Sequence, residues 1–234
     1  MRQSCKAVLR LLAAGIIWHA TVPAPVAAQV APSASQVAAY AGLHKAAHEG
    51  DVASIGNLLA SGADLNATDG DGRTAVHVAA FASKPAAVIA LAEAGADMNA
   101  LEHQAYDIVT IAAVANDLKV LDVALASGAK AGNITSPYDG TALIAAAHLG
   151  HHAVVRRLIA AGAPLNHVNN LAWTALIEAV VLGDGGPDHV ETVRALVEAG
   201  ADQSIGDRQG VTPLMHARQR GYNEMVAILE AAAR

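Results

Sequence analysis

Residues 141–163 read TALIAAAHLGHHAVVRRLIAAGA, and this stretch decides the fold. Thr141 stands just before an apolar run, where its side-chain oxygen can satisfy an orphan amide of a helix's first turn. Ala146 and Ala147 are small enough to let a neighbouring helix approach closely. Gly150-His151 marks a turn, after which Val154, Val155, Leu158 and Ile159 recur at helical spacing. Gly162 then permits a left-handed C-terminal cap. The stretch predicts a short helix, a turn and a longer amphipathic helix. Such a unit cannot bury its apolar face alone.

The unit returns along the chain. Gly-Ala-Asp stands at 62–64, 95–97 and 200–202, with weakened copies at Gly128-Ala129-Lys130 and Gly162-Ala163-Pro164, and the glycines are 33, 33, 34 and 38 residues apart. A second phrase runs in step: Thr74-Ala75-Val76-His77, Thr141-Ala142-Leu143-Ile144, Thr174-Ala175-Leu176-Ile177 and Thr212-Pro213-Leu214-Met215. Asp107 fills the Thr slot in Asp107-Ile108-Val109-Thr110, and Leu43-His44-Lys45-Ala46-Ala47 opens the series. Asp69-Gly70-Asp71-Gly72 and Asp207-Arg208-Gln209-Gly210 read as turns between units. A fixed period of this length means stacked units whose interfaces provide the core.

These phrases resemble the ankyrin repeat over about residues 41–234. The resemblance implies an all-α solenoid of about six helix-turn-helix units joined by β-turn fingers, here 41–73, 74–106, 107–140, 141–173, 174–211 and 212–234, with atypical end copies. It also implies a protein-binding role through a concave face. The contact positions lie on the fingers just before the Thr slot and at the ends of the inner helices. On this sequence the expected finger contacts are Arg73, His103, Gln104, Tyr106, Tyr138, Leu171, Trp173 and Arg208. The helix-end contacts are Phe81 and His148. Phe81, Tyr106, Tyr138 and Trp173 are four of the six aromatics after residue 28, and on an open face they would serve as interface anchors. The competing expectation is that individual rings fold down and merely pack.

Several units depart from their own pattern. Ala105 and Ala172 stand where the other turns carry glycine, so those fingers either bend differently or serve a ligand. The finger 133–140 is one residue longer. The fifth unit carries five extra residues around Gly183-Asp184-Gly185-Gly186-Pro187-Asp188-His189, either a tolerated surface insertion or a second contact point.

Composition narrows the function. The 234 residues are 53% hydrophobic, 15% charged and 3% aromatic, which excludes a disordered acidic tail and points to Ala-rich helices packed through small side chains. A formal net charge of −6 argues against nucleic acid and anionic lipid as partners. One cysteine, Cys5, allows neither a disulfide nor a thiolate metal site. His148, His151 and His152 form the densest histidine cluster and carry the alternative reading, a metal-dependent protein or enzyme, although no thiolate or carboxylate completes a four-ligand set. The turn 68–72 lacks the carboxylates of a calcium loop, and no zinc-protease helix, nucleophile elbow or phosphate loop is present. The sequence calls for no cofactor and no catalysis.

Residues 1–10 carry Arg2, Lys6 and Arg10 and no acid. A short apolar run follows at Leu11–Trp18, then Pro23, Pro25 and the small residues Val26-Ala27-Ala28. The segment 1–28 resembles a bacterial secretory signal peptide cleaved after Ala28, which would place the protein in the periplasm or outside the cell. Removal leaves 12 basic against 21 acidic groups, no cysteine and no segment for membrane insertion. Residues 29–39 are uncharged and read as a linker or a fraying first helix. The expectation is a secreted module, monomeric by itself, that binds another protein.

Overall fold

The computed structural model describes residues 29–232, so the signal-peptide expectation for 1–28 lies outside the described residues. Contacts divide the chain after Val30, and everything from Ala31 onward belongs to one unit. Among the described residues there are thirteen helices and no named strand: α1 Ala34–Ala39, α2 Gly42–Glu49, α3 Val52–Ala60, α4 Ala75–Phe81, α5 Pro85–Glu93, α6 Ile108–Val114, α7 Leu118–Ala126, α8 Ala142–His148, α9 His152–Ala160, α10 Ala175–Val181, α11 Pro187–Glu198, α12 Pro213–Arg220 and α13 Asn223–Ala232. From α2 onward they pair as short helix and long helix. Each short helix packs on the next short one, α2 on α4 through to α12, and each long helix on the next long one, α3 on α5 through to α13. The result is a two-layer solenoid.

Caps set where the short helices begin. Thr141, Thr174 and Thr212 accept the amides of Ile144, Ile177 and Met215, and Asp107 accepts that of Thr110. The alanine pairs Ala46-Ala47, Ala79-Ala80, Ala112-Ala113 and Ala146-Ala147 are buried, which lets the short helices sit close. Ile55, Leu91, Leu121, Leu158 and Leu196 of the long helices fill the space between units. Each such side chain contributes roughly 1.5–3 kcal/mol when buried.

Histidine rings tie helices to fingers. His44 Nε2 donates to the Arg73 carbonyl at 2.8 Å, and His77 Nε2 to that of Ala100 at 3.0 Å. His77 Nδ1 accepts the Thr74 amide, and burial keeps this imidazole below its ordinary pKa and neutral.

Residues 29–39 are more than a linker, because Ala34–Ala39 is helical, with Ser33 and Gln36 forming a reciprocal capping box. Its anchorage is tertiary. Gln36 Nε2 donates to Asp71, and Tyr40 Oη donates to Asp69 Oδ2 at 2.9 Å. Burial and then the Asp69 carboxylate push the Tyr40 phenol up to about 12.

The Ala105 and Ala172 turns bend as the glycine turns do. Ala105 has φ 61° and Ala172 φ 66°, beside 77° at Gly72 and 74° at Gly210. An L-residue there clashes with its own backbone at a cost of about 1–2 kcal/mol. Ala105→Gly and Ala172→Gly are therefore expected to stabilise the protein by about 1 kcal/mol each, allowing for glycine's greater unfolded-state freedom. Thermal denaturation should show a rise of roughly 2–4 °C per substitution.

Candidate functional site

Each finger is built on one polar side chain. Asp69 Oδ1 accepts the amides of Asp71 and Arg73, and Asp69's own amide donates to the Arg73 carbonyl. Glu102 holds Gln104 and Tyr106 in the same way, Asn169 holds Leu171 and Trp173, and Asp207 holds Gln209 and Val211. Burial pushes the Asp207 carboxyl up, but the Val211 amide, the His216 ring and the Gln209 amide outweigh it and leave the group below its usual range. In the longer finger Ser136 Oγ takes over, accepting from Tyr138 and Gly140, and Thr135 bridges to Gly140.

Successive fingers are hydrogen-bonded in series. The His103 amide donates to the Asp71 carbonyl at 2.9 Å, Ser136 to Ala105 at 2.8 Å, and Asn170 to Tyr138 at 3.0 Å. Arg208 Nη2 continues the ribbon onto the Asn170 carbonyl at 3.0 Å. Beside the ribbon lies the wall of short helices.

Two expected contact residues are not available to a partner. Arg73 is 3% exposed, paired with Asp71 at 2.8 Å and Asp69 at 3.4 Å, and its guanidinium lies 5.5 Å from the Phe81 ring centroid. Tyr106 is 5% exposed and belongs to the core. Both occupy the last slot of a finger, the residue whose carbonyl closes the turn, and that slot is buried in these two units and half-buried at Trp173 and Val211. The expectation of four open aromatic anchors fails there. Phe81 is half-buried, packs on the core and lies under Arg73. Tyr138, Leu171 and Trp173 are half-buried, and His103, Gln104 and Arg208 are exposed at the finger tips.

The most exposed apolar groups of the fingers were not among the expected contacts. Leu101 is 48% exposed, Ile134 57% and Val168 43%. Leu101 and Val168 immediately precede the residue that founds their finger, and Ile134 precedes Thr135, whose amide closes the longer finger onto Gly140; the three stand 33 and 34 residues apart, so the ribbon sets them in a row. The sequence signal is register alone: an aliphatic in three consecutive units where Thr68 and Gly206 stand at either end.

The histidine cluster does not converge. His148 Nδ1 lies 3.2 Å from Glu178 Oε2, His151 Nδ1 donates to the Ala113 carbonyl, and His152 stands 3.9 Å from Asp188. No group of three metal-ligating side chains exists among the described residues, and none of the described helices is long and apolar enough to cross a membrane. The fifth-unit insertion is clamped: His189 Nε2 donates to the His148 carbonyl at 2.9 Å, and Tyr222 Oη to that of Gly183 at 3.0 Å.

Residues 109–207 match the family description "Ankyrin repeats (3 copies)", and residues 43–92 match "Ankyrin repeats (many copies)". The chain is 36% identical over 188 residues to the ankyrin repeat protein YahD of Escherichia coli (strain K12), covering 80% of this chain and 93% of that one. Among solved structures it is similar to an ankyrin repeat domain from Acinetobacter baumannii AYE, at 43% identity and TM-score 0.77 over 82% of this chain and 97% of the other. The ankyrin repeat protein EF0377 aligns at 31% identity and TM-score 0.75, over 81% and 96%.

Proposed function

The chain belongs to the ankyrin-repeat family, and on that premise we propose that it binds another protein across its finger ribbon and short-helix wall. Ankyrin repeats are in general non-enzymatic modules of protein–protein interaction. The observation that carries the reading here is the row Leu101, Ile134 and Val168, aliphatic groups left open on a hydrogen-bonded scaffold. A rigid ribbon loses little entropy on contact, so apolar area exposed on it converts efficiently into affinity. His103, Gln104, Arg208 and the half-buried Tyr138, Leu171 and Trp173 provide the surrounding polar and aromatic contacts. An interface covering the row and its surroundings would bury on the order of 1,200–2,000 Å².

The place of action in this reading is the periplasm or the exterior. It rests on the basic start, apolar run and Ala28 of residues 1–28. The released chain would be soluble and monomeric by itself, with neither nucleic acid nor membrane as partner.

The test is affinity capture from the envelope fraction, followed by a binding curve on the recovered protein. Leu101→Asp, Ile134→Asp and Val168→Asp together should weaken it by at least 30-fold, the equivalent of about 2 kcal/mol, while leaving the melting temperature near that of the wild type. Equal affinity in the triple variant would remove the fingers from the interface. Sedimentation of the isolated chain separates a foreign partner from a second copy.

A further inference from the structure

The short helices α4, α6, α8 and α10 contain a single Asp, Glu, Lys or Arg, which is Glu178. The same slot holds Val78, Ile111 and Ala145 in the three preceding units. Glu178 is 2% exposed. Its Oε1 accepts Asn169 Nδ2 at 3.0 Å, but Oε2 makes no hydrogen bond; His148 Nδ1 stands 3.2 Å away, off the direction of one. A buried carboxylate oxygen that lacks a well-aligned donor is costly to desolvate, so its presence calls for an explanation.

The sixth unit shows how the same arrangement can be closed. Asp207 and His216 are nine residues apart, as Asn169 and Glu178 are. There Asp207 Oδ2 meets His216 Nε2 at 2.8 Å, while Oδ1 receives the amides of Gln209 and Val211. The fifth unit makes the equivalent contact between Asn169 and Glu178 Oε1 but leaves Oε2 over. The charged neighbour of Oε2 is the His148 imidazole, 30% exposed, on the neighbouring helix. Asn169, which holds Glu178, also holds the Trp173 amide at 3.0 Å, and the next residue, Asn170, is bonded to the Tyr138 carbonyl. Neither Trp173 nor Tyr138 is spent on the hydrophobic core.

We propose that Glu178 is the receptor for an arginine side chain of the partner protein, with His148 turning aside to admit the guanidinium. This deepens the protein-binding reading and rests on it. A guanidinium is planar, carries five donors and is more weakly hydrated than an ammonium, so it can meet a recessed carboxylate oxygen that a lysine reaches only at greater desolvation cost. The excess of acidic over basic residues in the chain, 21 against 15, favours a basic partner surface.

The probe is N-acetyl-arginine amide, titrated into the whole protein while the NMR signals of the His148 ring and the Trp173 amide are followed. Both signals should shift in a saturable way, and the neutral isostere N-acetyl-citrulline amide should leave them in place. Glu178→Gln, which preserves size and the Asn169 contact, should weaken the arginine response at least about tenfold. His148→Ala, which removes that imidazole and keeps the carboxylate, should strengthen it several-fold. Citrulline acting as well as arginine, an unresponsive wild type, or an unchanged or weaker response in His148→Ala would each overturn the assignment. Because the probe needs no partner protein, such a failure leaves the finger row to its own test.

Discussion

Leu143→Ala is expected to lower the stability of the protein by about 3–4 kcal/mol, the range for a leucine deleted from a site that cannot collapse. Leu143 is fully buried on α8, which packs against α6 and α10 and against its own partner α9. In a one-dimensional stack, stability is a sum of units and nearest-neighbour interfaces, and a central unit has two of those. The void therefore weakens the coupling of both halves. Leu229→Ala on α13 makes a comparable void in the sixth unit, which among the described residues packs on one neighbouring unit, through α10 and α11. Urea denaturation should separate the two: the central variant shifts the main transition, and the terminal one adds an early, shallow loss of helix. Identical curves would show that the stack unfolds as one block.

Asp107→Ala should cost about 3 kcal/mol. Asp107 is 1% exposed, and its Oδ1 accepts both the amide and the hydroxyl of Thr110 at 2.8 Å, while Oδ2 accepts Asn133 Nδ2 at 2.9 Å. Thr110 Oγ1 in turn meets Thr135 Oγ1 at 2.9 Å. Loss of the cap accounts for about 1 kcal/mol, and the donors left buried without an acceptor account for the rest. Asp107→Asn keeps the cap oxygen and should recover about half of the loss. Chemical denaturation of the two variants reads this directly; a smaller loss for Ala than for Asn would refute the network.

The same network explains a substitution visible in the chain. The second, fourth, fifth and sixth units carry Thr at the helix start, and in the second His77 three residues on reaches the Ala100 carbonyl. The third unit has Asp107 and Thr110 in those slots. The shorter threonine cannot reach as the imidazole does, so the link to the next finger runs through Thr135 and Asn133 instead.

The solenoid is legible in sequence because its determinants are local. Thr or Asp before an apolar run starts a helix, small residues allow close packing, and glycine ends the unit, all at one period. Helix α1 is not legible in that way, because six residues with no buried side chain carry no periodic signal, and it is held by Gln36 and Tyr40 reaching Asp71 and Asp69. The contact surface is legible only in part. Arg73 and Tyr106 occupy finger positions, yet the direction of a side chain at the closing slot is set by the turn, and that slot is buried there. The row at Leu101, Ile134 and Val168 escapes a search for unusual residues, since nothing about a leucine, an isoleucine or a valine is unusual. Ala105 and Ala172 mislead for the opposite reason: the turn imposes its geometry on residues that resist it.

The hydrogen bonds described between fingers run from each to its immediate neighbour, so most units could be gained or lost whole over evolutionary time while the survivors closed ranks. The fifth is tied in by further bonds of its own. Its insertion reaches back to the His148 carbonyl and receives Tyr222 from the following unit, which makes it the keystone of the row. Changes in the length of such a chain across a lineage should therefore come in steps of about 33 residues taken elsewhere, and should spare the stretch from Gly183 to His189 together with its tyrosine.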